Sequence, residues 1–464
     1  MPSEEGQESR YERYERMQEK EDTGSIVRVT ARPESIPDDP HKWSWVEATV
    51  WTDRMLTALG NGVQGGKWHS LIDKVYSPQT LWAAWQRVAS NHGAAGMDRM
   101  SVERFEANAE YYLRVLEKEL RNGSYKPTPI RRVYIPKGKG KTRPLGIATV
   151  KDRIVQGALK LVLEPIFEKE FLPVSFGFRP ERSCKDALRI VDRSIKEGYT
   201  WVVDADLQNY FDTIPKQRLM ELVNNRISDA RVMKLIQQFL DQSVIEGMKR
   251  WTPVAGTPQG SVISPLMANL YLHGLDELLC KTEHKYVRFA DDFVVMCRSR
   301  QDAEEVLAAI QGWVGKHGLT LHPDKTCITN CMVKRRGFDF LGYRFDAGRR
   351  WVRPKSLKAI RDKIRLLTGR TRSGSLENII TELNPILKGW FGYFKHASRS
   401  TFRAIDGFVR RRLRAILRKR EKRPGFARTP CDHKRWPNSF FAQQGLFTLH
   451  EAFVVASQSR KGNY

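Results

Sequence analysis

Long apolar runs are missing from this 464-residue chain. None approaches the ~20 residues that a membrane-spanning helix needs, so no bilayer is expected among its partners. Paired cysteines are missing too. The six, at 184, 280, 297, 327, 331 and 431, include no CxxC, which argues against a disulfide framework and for reduced thiols in a cytoplasm. Residues 1–24 carry eight acids against four basic residues and no apolar core, unlike a signal peptide or presequence. Across the whole chain acid is the scarce charge: 53 Asp and Glu stand against 79 Lys and Arg, a net +26. That imbalance points to a polyanionic partner, nucleic acid before membrane. What is present, 41% apolar and 28% charged residues, is a soluble globular composition long enough for two or three domains.

Residues 1 to 40 read as a charged, mobile leader. Helical spacing of apolar residues then predicts a helix from Trp43 to the glycines at 60–66, a second over 71–89 and a third over 104–121. Between the last two, the Gly-rich stretch 91–98 is by default a plain turn, although such a loop can cradle phosphate. Two short strands follow, flanking a turn that carries Lys137, Lys139, Lys141 and Arg143. Those cations suit a triphosphate, a nucleic-acid backbone or a merely solvated surface. A long helix is expected over 151–171, and a strand from Trp201 whose period-two alternation sets Asp204 and Asp206 on one face. Further on come a strand pair near 245–254, an apolar helix over 262–279, a helix over 302–317, a strand with a loop lysine over 319–326 and a hairpin over 337–345. Composition shifts near 350. Residues 351–430 hold 22 Lys and Arg against 5 Asp and Glu, a net +17, with Arg411, Arg414 and Arg418 on one predicted helical stripe and Val409, Leu413 and Ile416 on another.

The stretch from Tyr286 to Met296 is the least economical in the chain. Two apolar strand-forming runs are interrupted by Asp291 and Asp292. Desolvating unpaired charge is costly, so adjacent acids there are either a solvated hairpin tip or a presented metal-binding pair. Asp206 lies 85 positions before Asp291. Three carboxylates from two segments can hold two Mg²⁺ ions, or Mn²⁺, and support templated phosphoryl transfer. In that chemistry Lys325 would protonate the departing pyrophosphate, Lys137, Lys141 and Arg143 would neutralise a nucleotide triphosphate, and Phe211 would crowd a ribose 2′ position.

The order of motifs resembles the group II intron-encoded reverse transcriptases, or maturases. The matching stretches are Gly93-Ala-Ala-Gly-Met-Asp98, Arg143-Pro-Leu-Gly-Ile147, Ser175-Phe-Gly-Phe-Arg-Pro-Glu-Arg-Ser183, Asp206 to Asp212, Thr257-Pro-Gln-Gly-Ser-Val-Ile-Ser-Pro265, Phe289-Ala-Asp-Asp292, Lys325-Thr326 and Phe340-Leu-Gly342. Leu387 to Phe394 looks like the family's thumb, or maturase X, segment. The resemblance implies an α/β right-hand polymerase: fingers and palm over 41–350, a basic helical thumb over 351–430 and a C-terminal segment over 431–464. It implies catalytic acids at Asp206, Asp291 and Asp292, nucleotide contacts at Gln259 and Phe289, and RNA contacts at Arg411, Arg414 and Arg418. Expected partners are a group II intron RNA, an RNA template with a DNA primer, a DNA target and deoxynucleoside triphosphates. Two positions depart from the pattern, Phe289 for a usual Tyr and Ser261 for a usual Gly. The ending resembles the short bacterial class C members, which lack an endonuclease domain. A host role in repair or defence, or splicing without polymerisation, is the alternative.

Overall fold

The computed structural model describes residues 43–138, 141–425, 427 and 429–458. The leader expected over 1–40 therefore lies outside the described residues, as do Lys139 and the side chains of Lys137 and Lys141. The chain divides between Ser44 and Trp45, and the elements below belong to residues 45–464.

Helices come first: α1 (Asp53–Asn61), α2 (Pro78–Ser90) and α3 (Ala109–Arg121). The single helices expected over 71–89 and 104–121 are each broken. Ser77 caps a fresh start at Pro78, whose fixed φ suits a first turn, and Asn108 interrupts the other. Strands β1 (Ile130–Gly138) and β2 (Lys141–Ile147) form the basic hairpin, pairing Arg132 with Gly146 and Ile135 with Arg143. Short strands β4 (Val244–Glu246) and β5 (Lys249–Trp251) extend that sheet in the order β2-β1-β4-β5. Behind the hairpin, α4 (Val150–Glu168) runs with most of its residues buried. The Gly-rich connector packs onto its N-terminus. A Cβ at Gly96 would lie 2.6 Å from Thr149 Cα, and Arg153 donates to the Ala94 and Ala148 carbonyls at 2.5 and 3.1 Å. Structure, not phosphate, accounts for those glycines.

The central sheet has the order β6-β7-β3-β8, all antiparallel: β3 (Trp201–Asp206), β6 (Lys285–Phe289), β7 (Asp292–Cys297) and β8 (Cys327–Asn330). Residues 319–326, expected as a strand with a loop lysine, pair with the chain after β3 only through an isolated antiparallel bridge of Leu321 with Leu207, and the rest is a loop. Gln208 N donates to Thr320 O at 2.8 Å and His322 N to Asp206 O at 2.7 Å, and Pro323 withholds a ladder donor. The helices α5 (Cys184–Lys196), α6 (Lys216–Asn224), α7 (Ala230–Leu240), α8 (Ser264–Cys280) and α9 (Arg300–Lys316) surround this sheet and the hairpin sheet.

A small sheet of β9 (Phe338–Phe340), β10 (Tyr343–Asp346) and β11 (Arg349–Val352) leads into α10 (Pro354–Leu367), α11 (Leu376–Phe394), α12 (Arg399–Arg420) and α13 (Leu449–Gln458). One hydrophobic core runs from Val202, Val287 and Val294 through Phe340 and Tyr343 to Ile364, Leu387 and Leu413. Tyr343 and Tyr393 tie the two halves, donating to the Tyr393 and Leu341 carbonyls at 2.7 Å each. The shift in composition near residue 350 is thus not a break in packing. Among the described residues no helix is long and apolar enough to cross a membrane.

Candidate active site

Pairing of β3 with β7 sets Asp206 directly opposite Asp292. Pairing of β6 with β7 sets Phe289 opposite Asp292, which leaves Ala290 and Asp291 as a two-residue turn. Ala290 has φ +59°, the left-handed geometry that such tight turns demand at their first position. The three acids expected to act together therefore share one end of one sheet.

They repel one another. Burial first, then the charges of Asp291 and Asp206, push the Asp292 carboxyl up to about 7. Burial and the neighbouring Asp206 also raise Asp291. Asp204, two residues along β3, rises to about 7 through burial and then through Asp292, Asp339 and Asp206. The cation at hand is Lys325, whose Nζ donates to Asp206 Oδ2. Among the described residues no three His, Cys, Asp or Glu side chains already converge on one point. The donor set still suits a hard divalent ion: its donors are all carboxylate oxygens, their charges are mutually unbalanced, and an ammonium stands where a cation would be attracted.

A buried polar network braces the turn, and sequence reasoning missed it. Arg288, on β6, is fully buried with Asp276 of α8 at 2.5 Å. Its Nη1 donates to Ala290 O and to Asn269 Oδ1, both at 2.9 Å, and Tyr286 OH donates to Asp276 at 2.8 Å. Asn269 in turn donates to Gly177 O at 2.8 Å. The signal was present: a lone arginine inside an apolar strand, and two polar residues seven apart, on one face of an otherwise apolar helix.

Beside the acids, the loop before α8 docks on the hairpin. Gly146 N donates to Gln259 O at 2.7 Å, and a Cβ at Gly260 would collide with Gly146 O. Gln259 Nε2 donates to Asp212 Oδ2 at 2.9 Å. Gly146, Asp212 and Gln259, with Arg132, Gly256 and Thr257, line a recess. Arg143 is exposed on the adjoining strand and is not among its lining residues, whereas Arg132 is. Phe211 is half-buried, its carbonyl accepting from Thr257 N at 2.7 Å, and Phe289 is half-buried against the core. The departure at Ser261 has a local reason: its hydroxyl donates to the buried Gln156 Oε1 at 2.5 Å.

The three arginines expected on one stripe of α12 have different surroundings in the fold. Arg414 is 2% exposed, donating to Trp436 O and Asn438 Oδ1 at 2.8 and 2.9 Å. Arg418 is ion-paired with Asp432 and donates to Pro424 O at 2.5 Å. Both are occupied because Pro424, Asp432, Trp436 and Asn438 lie over that face of α12. Arg411 remains exposed, stacked over Phe408 at 5.3 Å. It lines two recesses flanking α12, one shared with Arg361 and Arg365, the other with Arg410, Arg414 and His433.

Residues 135–345 match the family described as "Reverse transcriptase (RNA-dependent DNA polymerase)", and residues 357–436 match "Group II intron, maturase-specific domain". The chain is 36% identical to Protein YkfC of Escherichia coli over 316 residues, 59% of this chain and 82% of that protein. It is 37% identical to the group II intron-encoded protein LtrA of Lactococcus lactis over 226 residues, 47% of this chain but 37% of LtrA. An uncharacterized 91 kDa protein in the cob intron of Schizosaccharomyces pombe is 33% identical over 272 residues, 46% of this chain and 34% of that protein. The chain belongs to the group II intron reverse transcriptase/maturase family, with an RNA-dependent DNA polymerase domain followed by a maturase-specific domain.

Proposed function

We propose that the protein is an RNA-directed DNA polymerase that binds a group II intron RNA, assists its splicing and copies it at a DNA target during intron mobility. The observation that carries the reading is the in-register stack of Asp206 on Asp292, with Asp291 in the adjoining turn. Family membership implies divalent metal ions. Asp206, Asp291 and Asp292 would hold two Mg²⁺ or Mn²⁺ ions, which activate the attacking oxygen and stabilise charge on the leaving pyrophosphate.

The chain's own groups do the rest. Arg288 and Asn269 fix the turn so that Asp291 and Asp292 need no reorganisation when a nucleotide arrives. Lys325, beside Asp206, would give a proton to the departing pyrophosphate. Lys137, Lys141 and Arg143 on the hairpin, with Gln259 and Phe289, would hold the incoming deoxynucleoside triphosphate. Phe211 would crowd its 2′ position, which disfavours ribonucleotides. Residues 351–430 would act as a thumb that grips RNA, with Arg411 contacting phosphate and Arg361 and Arg410 replacing Arg414 and Arg418 in that role.

Two assays test this together. The purified protein should extend a DNA primer on an RNA template when Mg²⁺ is supplied and stop when it is chelated. It should also accelerate splicing of its intron RNA at low Mg²⁺. Extension without any splicing effect would leave a polymerase with a host role, and no extension under any divalent ion would refute the polymerase.

A further inference from the structure

The segment 174–179 runs along β6 to the catalytic turn, and all of it except one side chain is committed to the fold. Arg288 N donates to Val174 O and Phe176 N to Arg288 O, both at 2.9 Å, a parallel bridge between Ser175 and Arg288. Phe176 is buried in the core. Gly177 presses on the turn itself: a Cβ there would collide with Ala290 N and lie 2.9 Å from the Phe289 carbonyl carbon. Arg179 is 7% exposed, with its guanidinium spent on Glu168 and on the carbonyls of Phe171, Leu172 and Ser175.

Phe178 stands between these fixed neighbours with φ +59° and 51% of its surface open to solvent. Left-handed backbone is uncommon for any residue with a Cβ and an outlier for a bulky one. Such a conformation persists where the surroundings over-determine it, and bridge, collision and guanidinium do so here. The backbone would be better served by Gly or Asn, and a half-open ring gains little from burial. Neither packing nor turn preference therefore accounts for a phenylalanine. Its position offers an account, since it is one residue from the backbone that abuts the base of Asp291 and Asp292.

We infer that Phe178 is a stacking platform for a nucleobase of the nucleic-acid strand that lies against the catalytic turn. The inference rests on the polymerase reading above. Stacking on an exposed ring is tolerant of sequence, as a template-copying centre requires, because every base offers a π face. Template and primer strands share that chemistry, and the experiment separates them.

Phe178→Gly removes the ring and the strain together, Phe178→Ala removes the ring, and Phe178→Tyr keeps an aromatic face. The Gly variant should melt at or above the wild-type temperature yet bind an RNA-template/DNA-primer duplex roughly tenfold more weakly, with the Ala variant similarly weakened and the Tyr variant within about twofold of wild type. Duplexes carrying 2-aminopurine at the primer terminus, or at the facing template position, assign the strand: wild-type quenching should be lost in the Gly variant for one strand only. Wild-type affinity and extension in both the Gly and Ala variants of an active protein would overturn the inference and leave the polymerase reading standing. A large fall in melting temperature in the Gly variant would overturn it too, by making Phe178 a structural residue. Failure of the wild-type protein to extend any primer would instead remove the reading on which the inference rests.

Discussion

Two regions of this molecule concentrate charge of one sign, and they treat it in opposite ways. At the end of β3 and β7, Asp204, Asp206, Asp291 and Asp292 crowd together, and two of them are pushed up to about 7. Along α12 a comparable crowd of arginines is largely engaged in hydrogen bonds, one of them an ion pair. Arg412 donates to Thr368, Arg414 to Trp436 and Asn438, Arg418 to Asp432, and Arg420 to Gly374 O. The acids are left unbalanced where an unbalanced charge can hold a metal. On α12 the buried Arg414 is satisfied by neutral acceptors and Arg418 by Asp432, while Arg411 stays exposed at the recesses beside Gly407. Raw charge along the sequence does not distinguish the two regions, whereas the partners of each side chain do.

The sharpest way to break this comparison is at Arg288, where balance supports imbalance. Arg288→Leu alone leaves Asp276 buried without its partner, and should destabilise the protein by about 3–5 kcal/mol in chemical denaturation. Replacing both partners, Arg288→Met with Asp276→Leu, should recover most of that stability. Primer extension should stay depressed in the double variant, because the Ala290 carbonyl still lacks its donor. Recovery of activity along with stability would show that the network is scaffold only.

Next in size is the division of the arginines. Gln at 361, 410 and 411 should weaken RNA binding and flatten its log–log salt dependence by roughly 1 for each arginine removed. Gln at 414 and 418 should lower the melting temperature and leave that slope unchanged. The comparison collapses if the second pair changes the slope as the first set does.

The smallest effect is one of pH. Asp204 has its carboxyl raised in the fold, so the stability it contributes is full below its unfolded value and is lost as pH rises through about 7. Asp204→Asn should then melt as the wild type does near pH 4, and progressively above it as pH rises to 7 and beyond, in the absence of divalent ions. Equal melting curves at pH 8 would mean that the acid is not held at the expense of stability.

Much of the central sheet was legible because its acids contradict their surroundings. Asp291 and Asp292 interrupt an apolar strand pair, and period two set Asp204 and Asp206 on one face, so the sheet end could be anticipated before its register was known. The strand expected over 319–326 shrinks to one bridge, with Pro323 and the bonds to Gln208 and Asp206 making the rest a loop. The surroundings of the arginine stripe were not legible: a helical pattern shows which residues share a face, but not that Trp436 and Asn438 lie over it. Arg288, Asp276 and Asn269 were overlooked because each is a single polar residue whose meaning appears only when three elements meet.

The central claim is that the unbalanced acids are the polymerase centre. Its most direct test compares wild type with Asp292→Asn, which keeps the side-chain shape and removes one charge, in primer extension on an RNA template with Mg²⁺ and in parallel RNA binding. The account predicts a loss of extension on the order of 10³-fold or more, with RNA affinity within about twofold of wild type. Extension that survives the substitution at near wild-type rate would contradict it.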